Sequence, residues 1–104
     1  MQIDLNHENG TLTARLAGEL DHHTAGEMRQ QVDTAVLSGR CQRLVLDFSG
    51  ITFMDSSGVG LIMGRWRLMQ NLNGRLTVQG LSPRLERMIR LAGLDKLPIW
   101  NQNN

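Results

Sequence analysis

Cysteine is almost missing from these 104 residues: Cys41 stands alone. No internal disulfide can form, so packing must hold the fold, which suits a reducing compartment. A lone cysteine is most often a small buried hydrophobe, and Cys41 is expected to serve as one at the start of a strand. An excess of charge of one sign is missing too. Eleven Lys and Arg face ten Asp and Glu, for a formal net charge of +1. That balance gives no general argument for nucleic acid or acidic lipid as a partner. Long apolar runs are absent, since nothing approaches the ~20 consecutive residues that a membrane-spanning helix needs. The chain does not open on a basic segment followed by an apolar run, as a secretory signal would. It has no internal repeat, no low-complexity linker and no glycine-rich phosphate loop of the P-loop type. These absences predict a soluble, cytoplasmic, single domain over 1–100, with a frayed polar tail at 101–104.

What is present is a clear alternation of strand and helix patterns. Ile3 and Leu5, then Leu12, Ala14 and Leu16, alternate with polar residues around Asn9-Gly10, which predicts a hairpin over about 2–18. Thr24-Ala25-Gly26-Glu27 fits the capping box S/T-x-x-E. Behind it, Ala25, Met28, Val32, Ala35 and Val36 fall on one helical face, and Ser38-Gly39 supplies a stop with glycine in the left-handed cap. A strand is predicted over 43–48 and a second helix over about 57–72, with Val59, Ile62, Met63, Trp66 and Met69 at helical spacing. Asn73-Gly74 ends that helix, and Leu76 and Val78 mark a strand over 75–79. Ser82-Pro83 opens a third helix with Leu85, Met88, Ile89 and Ala92 on its inner stripe, and Gly93 closes it. Leu97 to Trp100 is expected to add a short edge strand.

Strands separated by helices pair in parallel through right-handed crossovers. The expected fold is therefore α/β, a mixed and mostly parallel sheet of four to five strands. Thr11, Thr13 and Arg15 share one strand face, as do Arg75, Thr77 and Gln79. A sheet covered on both faces would show unbroken apolar runs, so the helices are expected mainly on one face.

The most informative segment is Phe53-Met54-Asp55-Ser56-Ser57-Gly58. It joins the most strand-like run of the chain to the second helix. Two serines thus sit at a helix start, where unpaired N–H groups and partial positive charge favour a hydroxyl cap or an added phosphate. Asp21-His22-His23 forms a second polar cluster between the hairpin and the first helix. If the strands before these two loops pair in parallel, Asp21 and Ser56 become neighbours on one rim. Adjacent histidines do not share a helix face, and no further Cys or His cluster completes a metal site. Arg84, Arg87 and Arg90 repeat every third residue, but without an aromatic platform they read as a solvated face. Trp66 and Trp100 read as packing residues. An esterase-like reading, with a serine nucleophile and a histidine base, lacks its signature. Met54 or Asp55 stands where G-x-S-x-G needs its first glycine.

The run DFSGITFMDSSGVGLIMGR resembles the signature of the STAS domain, which is shared by bacterial anti-sigma-factor antagonists and the cytosolic tails of anion transporters. LAGELDHHTAGEMR resembles that family's second block and LSPRLERMIRLAGLDKL its last helix, so the resemblance covers nearly the whole chain. GELDHHTA with FMDSSG is most similar to the sporulation antagonists, and the general-stress antagonists come second. The resemblance implies a regulator without catalysis or cofactor. Unmodified, such a protein binds an anti-sigma factor that is also an ATP-using serine kinase, and the sigma factor is released. The kinase then phosphorylates the first serine of DSSG, here Ser56, which breaks the complex. A serine phosphatase restores it. By resemblance, Asp21 contacts the kinase. From their positions, His22 and His23 are expected to line the docking rim or to satisfy loop backbone, and Asp55, Ser57, Gly58 and Leu61 are expected to belong to the docking surface. Ser57 is then the expected helix cap, Gly58 either packs closely or lets the kinase approach, and Leu61 is an exposed anchor. The free protein is expected to be a monomer that engages neither nucleic acid nor membrane. The alternative within the same fold is a scaffold that is never phosphorylated.

Overall fold

A computed structural model describes residues 1–100, and the tail expected to fray lies outside the described residues. The elements follow in the order β1 (Gln2–Glu8), β2 (Thr11–Leu20), α1 (Ala25–Gly39), β3 (Arg43–Met54), α2 (Ser56–Asn71), β4 (Arg75–Gln79) and α3 (Pro83–Leu91), with a 3-10 turn at Leu94–Lys96. The sheet runs β1-β2-β3-β4. β1 is antiparallel to β2, whereas β2–β3 and β3–β4 are parallel. The hairpin turns where the sequence placed it. Asn9 (φ 54°) and Gly10 (φ 80°) both take the left-handed backbone that a two-residue turn between paired Glu8 and Thr11 requires.

Alternation along the strands fixes which face is dry. Leu12, Ala14 and Leu16 of β2, Leu44, Leu46 and Phe48 of β3, and Leu76 and Val78 of β4 are buried in one cluster. Met28, Val32 and Val36 of α1, Ile62 and Met69 of α2, and Leu85 and Ile89 of α3 join the same cluster. All three helices therefore cover one face, as the strand alternation required. Cys41 is buried in this cluster just before β3. Ala92, expected on the inner stripe of α3, is exposed.

Three local expectations are corrected. Thr24 does not form the capping box: it has helical dihedrals and makes no cap bond. Its hydroxyl donates to the carbonyl of Glu19 (2.9 Å) and accepts the N–H of Asp21 (3.0 Å), which closes the loop before the helix instead. Glu27 turns to Gln31. The left-handed cap of α1 is Arg40 (φ 50°), while Gly39 is still helical. A Cβ on Gly39 would lie 3.0 Å from the His7 ring, so that glycine serves the contact with β1. The expected fifth strand reduces to one parallel bridge between Val78 and Trp100. Pro98 interrupts that segment, and the N–H of Val78 donates to the carbonyl of Ile99 (2.6 Å).

α3 follows expectation, with Ser82 accepting the N–H of Leu85 (3.2 Å) and Pro83 in the first turn. Its arginines are exposed. Arg90 pairs with Glu86 (3.0 Å) and lies 4.0 Å over the ring of Trp100, whose indole N–H reaches the carbonyl of Leu94. Among the described residues no helix is long and apolar enough to cross a membrane.

Candidate functional site

The site is built by parallel pairing of β2 and β3. Their last paired residues are Leu20 and Met54, and the N–H of Asp55 donates to the carbonyl of Leu20 (3.2 Å). Register shifts between Arg15 and Ala17 and between Gly18 and Glu19 bring the strand ends level. Gly50 makes this possible, since a Cβ there would lie 2.8 Å from the carbonyl oxygen of Leu16. The loops that follow the two strands thus leave one rim side by side, each headed by an aspartate.

The aspartates do matching work. Asp21 Oδ1 accepts the N–H groups of His23 (2.9 Å) and Thr24 (3.1 Å). Desolvation raises its pKa, but those N–H donors, the nearby His23 and the Thr24 hydroxyl outweigh it and hold the carboxyl below its usual range. Asp55 is the N-cap of α2 and accepts the N–H of Ser57 (2.8 Å). Ser57 was the expected cap; the carboxylate holds that position because its extended backbone places Oδ1 over the first turn.

Ser56 is the first residue of α2, and it is exposed. His22 and His23 are exposed beside Asp21, with ring centroids 3.9 Å apart and His23 Nδ1 3.8 Å from Asp21 Oδ1. Among the described residues no three His, Cys, Asp or Glu side chains converge as a metal site would need. Gly58 is buried, and a Cβ there would lie 2.3 Å from Met54 Sδ, so close packing accounts for this glycine. Leu61, expected to be exposed, is only 5% exposed. It lies on the inner side of α2 with Gly58, Ile62, Arg65 and Met69, so it supports the site from beneath.

Two features escaped the sequence reading. Phe53 is 44% exposed on the rim, paired across to Glu19. The β-branched and aromatic run Ile51-Thr52-Phe53 was the available signal that β3 continues beyond 48. The other is a groove between α1 and α2, bordered by Arg29, Ser57 and Arg65. Arg65 is buried and sits with Nε 2.8 Å from Asp33 Oδ1. The N–H is not aligned along that contact, which makes it an ion pair without a good hydrogen bond. Burial raises the pKa of Asp33 against the opposing pull of Arg65 and Arg29, and burial lowers that of Arg65.

This topology and rim define a class. Residues 3–99 match the family described as "Mlab, STAS domain", and the chain belongs to the STAS-domain family. The relatives that mark its branch are anti-sigma-factor antagonists. An anti-sigma F factor antagonist of Paenibacillus polymyxa is 40% identical over 102 residues, covering 97% of this chain and 87% of the relative. The solved structure of the anti-sigma factor antagonist SpoIIAA in its unphosphorylated form is 33% identical with a TM-score of 0.84, covering 99% of this chain and 89% of that one. The phosphorylated form of the Bacillus cell fate determinant SpoIIAA is 33% identical with a TM-score of 0.77, over 99% and 92%. These relatives are regulatory proteins.

Proposed function

We propose that this chain is an anti-sigma-factor antagonist whose docking is switched by phosphate on Ser56. The observation that carries the reading is the position of Ser56: an exposed hydroxyl opening α2, directly after the Asp55 cap and on the rim shared with Asp21. A phosphate there adds about −1.5 to −2 charges, enough to reverse the net charge of +1. The helix start tolerates that charge within its own fold. A partner's surface meets it as repulsion and desolvation cost. The fold is left little changed, and the interface is broken.

In this reading the partner is an anti-sigma factor that is also a serine kinase and carries the ATP. A serine phosphatase returns Ser56 to its free state. Asp21, His22, His23, Asp55 and Ser57 form the docking rim, with Phe53 at its margin and Gly58 and Leu61 packing below. The domain over 1–100 works as a cytoplasmic monomer when free.

The test is incubation with the organism's anti-sigma kinase and ATP, followed by intact mass, site mapping and a binding assay. One phosphate on Ser56, with loss of the complex, is the expected result. Ser56→Ala should bind and resist inactivation, and Ser56→Asp should bind poorly. Equal binding by the two variants would instead establish the unswitched scaffold.

A further inference from the structure

The groove between α1 and α2 has a volume of about 280 Å³, with Gly26, Arg29, Ser57, Gly60, Gly64 and Arg65 along it. Three of these are helical glycines, each of which weakens a helix relative to alanine. None is required by the fold, because a Cβ at Gly26, Gly60 or Gly64 would meet nothing within 4 Å and none of the three has a positive φ. Gly58, two residues before Gly60 and so on the opposite, strand-facing side of α2, is the contrast, since Met54 fills its space. The open glycines keep a space clear.

Charge says what the space suits. Arg65 is buried within the groove wall, and its ion pair with Asp33 engages Nε. Its two Nη groups carry four further N–H donors. Arg29 is close enough to push against the charge of Arg65, so two cations stand against the one carboxylate of Asp33. Gly26 and Ser57 are each the second residue of their helices, so the mouth lies at both helix starts. There Asp55 already takes the N–H of Ser57, and Glu27 stands in the first turn of α1. The cations that remain for a ligand are Arg29 and Arg65. The volume falls just below the ~300–1,000 Å³ of small-molecule pockets, a size better matched to one side chain inserted from a partner. Ser57 links the groove directly to Ser56.

We propose that this groove receives an acidic side chain of the anti-sigma partner. The inference rests on the partner-switching reading and gives it a mechanism. A carboxylate seated between Arg29 and Arg65 lies beside the start of α2, and a phosphate on Ser56 confronts that carboxylate with like charge.

The experiment measures affinity for the organism's anti-sigma factor in Gly60→Leu, which fills the groove, and in Arg29→Glu, which reverses its exposed cation. Leucine is a better helix former than glycine, so Gly60→Leu should melt no lower than the parent. Each variant is expected to lose about tenfold or more in affinity. Binding within about twofold of the parent by either variant overturns the proposal. Site mapping of the parent mixture runs alongside. If Ser56 takes phosphate and expels the partner while the variants bind normally, the groove is refuted and the switch stands. If the variants lose affinity while Ser56 is never modified, the groove stands and the switch fails.

Discussion

The two sides of α2 use glycine for opposite ends. On the strand-facing side, Gly58 lies against Met54 so closely that no Cβ fits. On the side toward α1, Gly60 and Gly64 border open space. One side is organised by close packing, whereas the other accepts a poorer helix and a buried ion pair to keep a charged groove. The same residue type therefore marks scaffold in one place and a candidate surface in the other, and only the neighbouring atoms tell them apart.

The contrast can be tested from its strongest side downward. Arg65→Met leaves Asp33 without its ion-pair partner behind the groove and should cost about 2 kcal/mol in a urea titration. That is less than the ~3–5 kcal/mol of a fully enclosed pair, because Asp33 keeps 28% of its side-chain exposure. The loss has a defined pH sense. The folded pKa of Asp33 is already raised by burial, and removing the Arg65 cation raises it further. A raised carboxyl favours the fold below its unfolded pKa, and that contribution is lost as pH rises through the folded pKa. The deficit of Arg65→Met should therefore shrink on acidification, and Asp33→Asn in the same background should flatten it.

Gly58→Ala should cost about 1–2 kcal/mol through overpacking against Met54, with part of the loss recovered by Met54→Ala in the double variant. Asp55→Ala should cost about 1 kcal/mol, the usual loss for an N-cap, whereas Ser57→Ala should move the melting temperature little. The reverse order would return the cap to Ser57. Gly64→Ala should stabilise by just under ~1 kcal/mol, and a loss instead would show that the α1 side is as tightly packed as the β3 side.

How much of this was legible in the sequence follows from how local each cause is. The hairpin turn, the cap of α3 and most of the apolar stripes depend on neighbours in the chain, and they match the structure, with Ala92 of α3 and Leu61 of α2 as the exceptions. The parallel rim was also legible, because a helix between two strands implies parallel pairing through a crossover, which brings the loop of Asp21 beside the loop of Ser56. The Thr24 box and the Gly39 cap were misread because distant groups decided them: Thr24 bonds back to Glu19, and Gly39 yields space to His7. Leu61 was read as exposed because the apolar stripe of α2 was drawn toward one neighbour only. A helix that packs against both the sheet and the neighbouring α1 buries a wider arc, which takes in Leu61 and Arg65. No local pattern announces an ion pair between positions 33 and 65.

The bridge from Val78 to the last described residues has a consequence for self-association. An open sheet has two margins, and each bare margin can template pairing with another chain. The β4 margin is covered at Val78 by Ile99 and Trp100, whereas among the described residues β1 presents an open margin, studded with Asp4 and Glu8. The segment from Leu97 to Trp100 thus shields part of one edge from pairing with another chain.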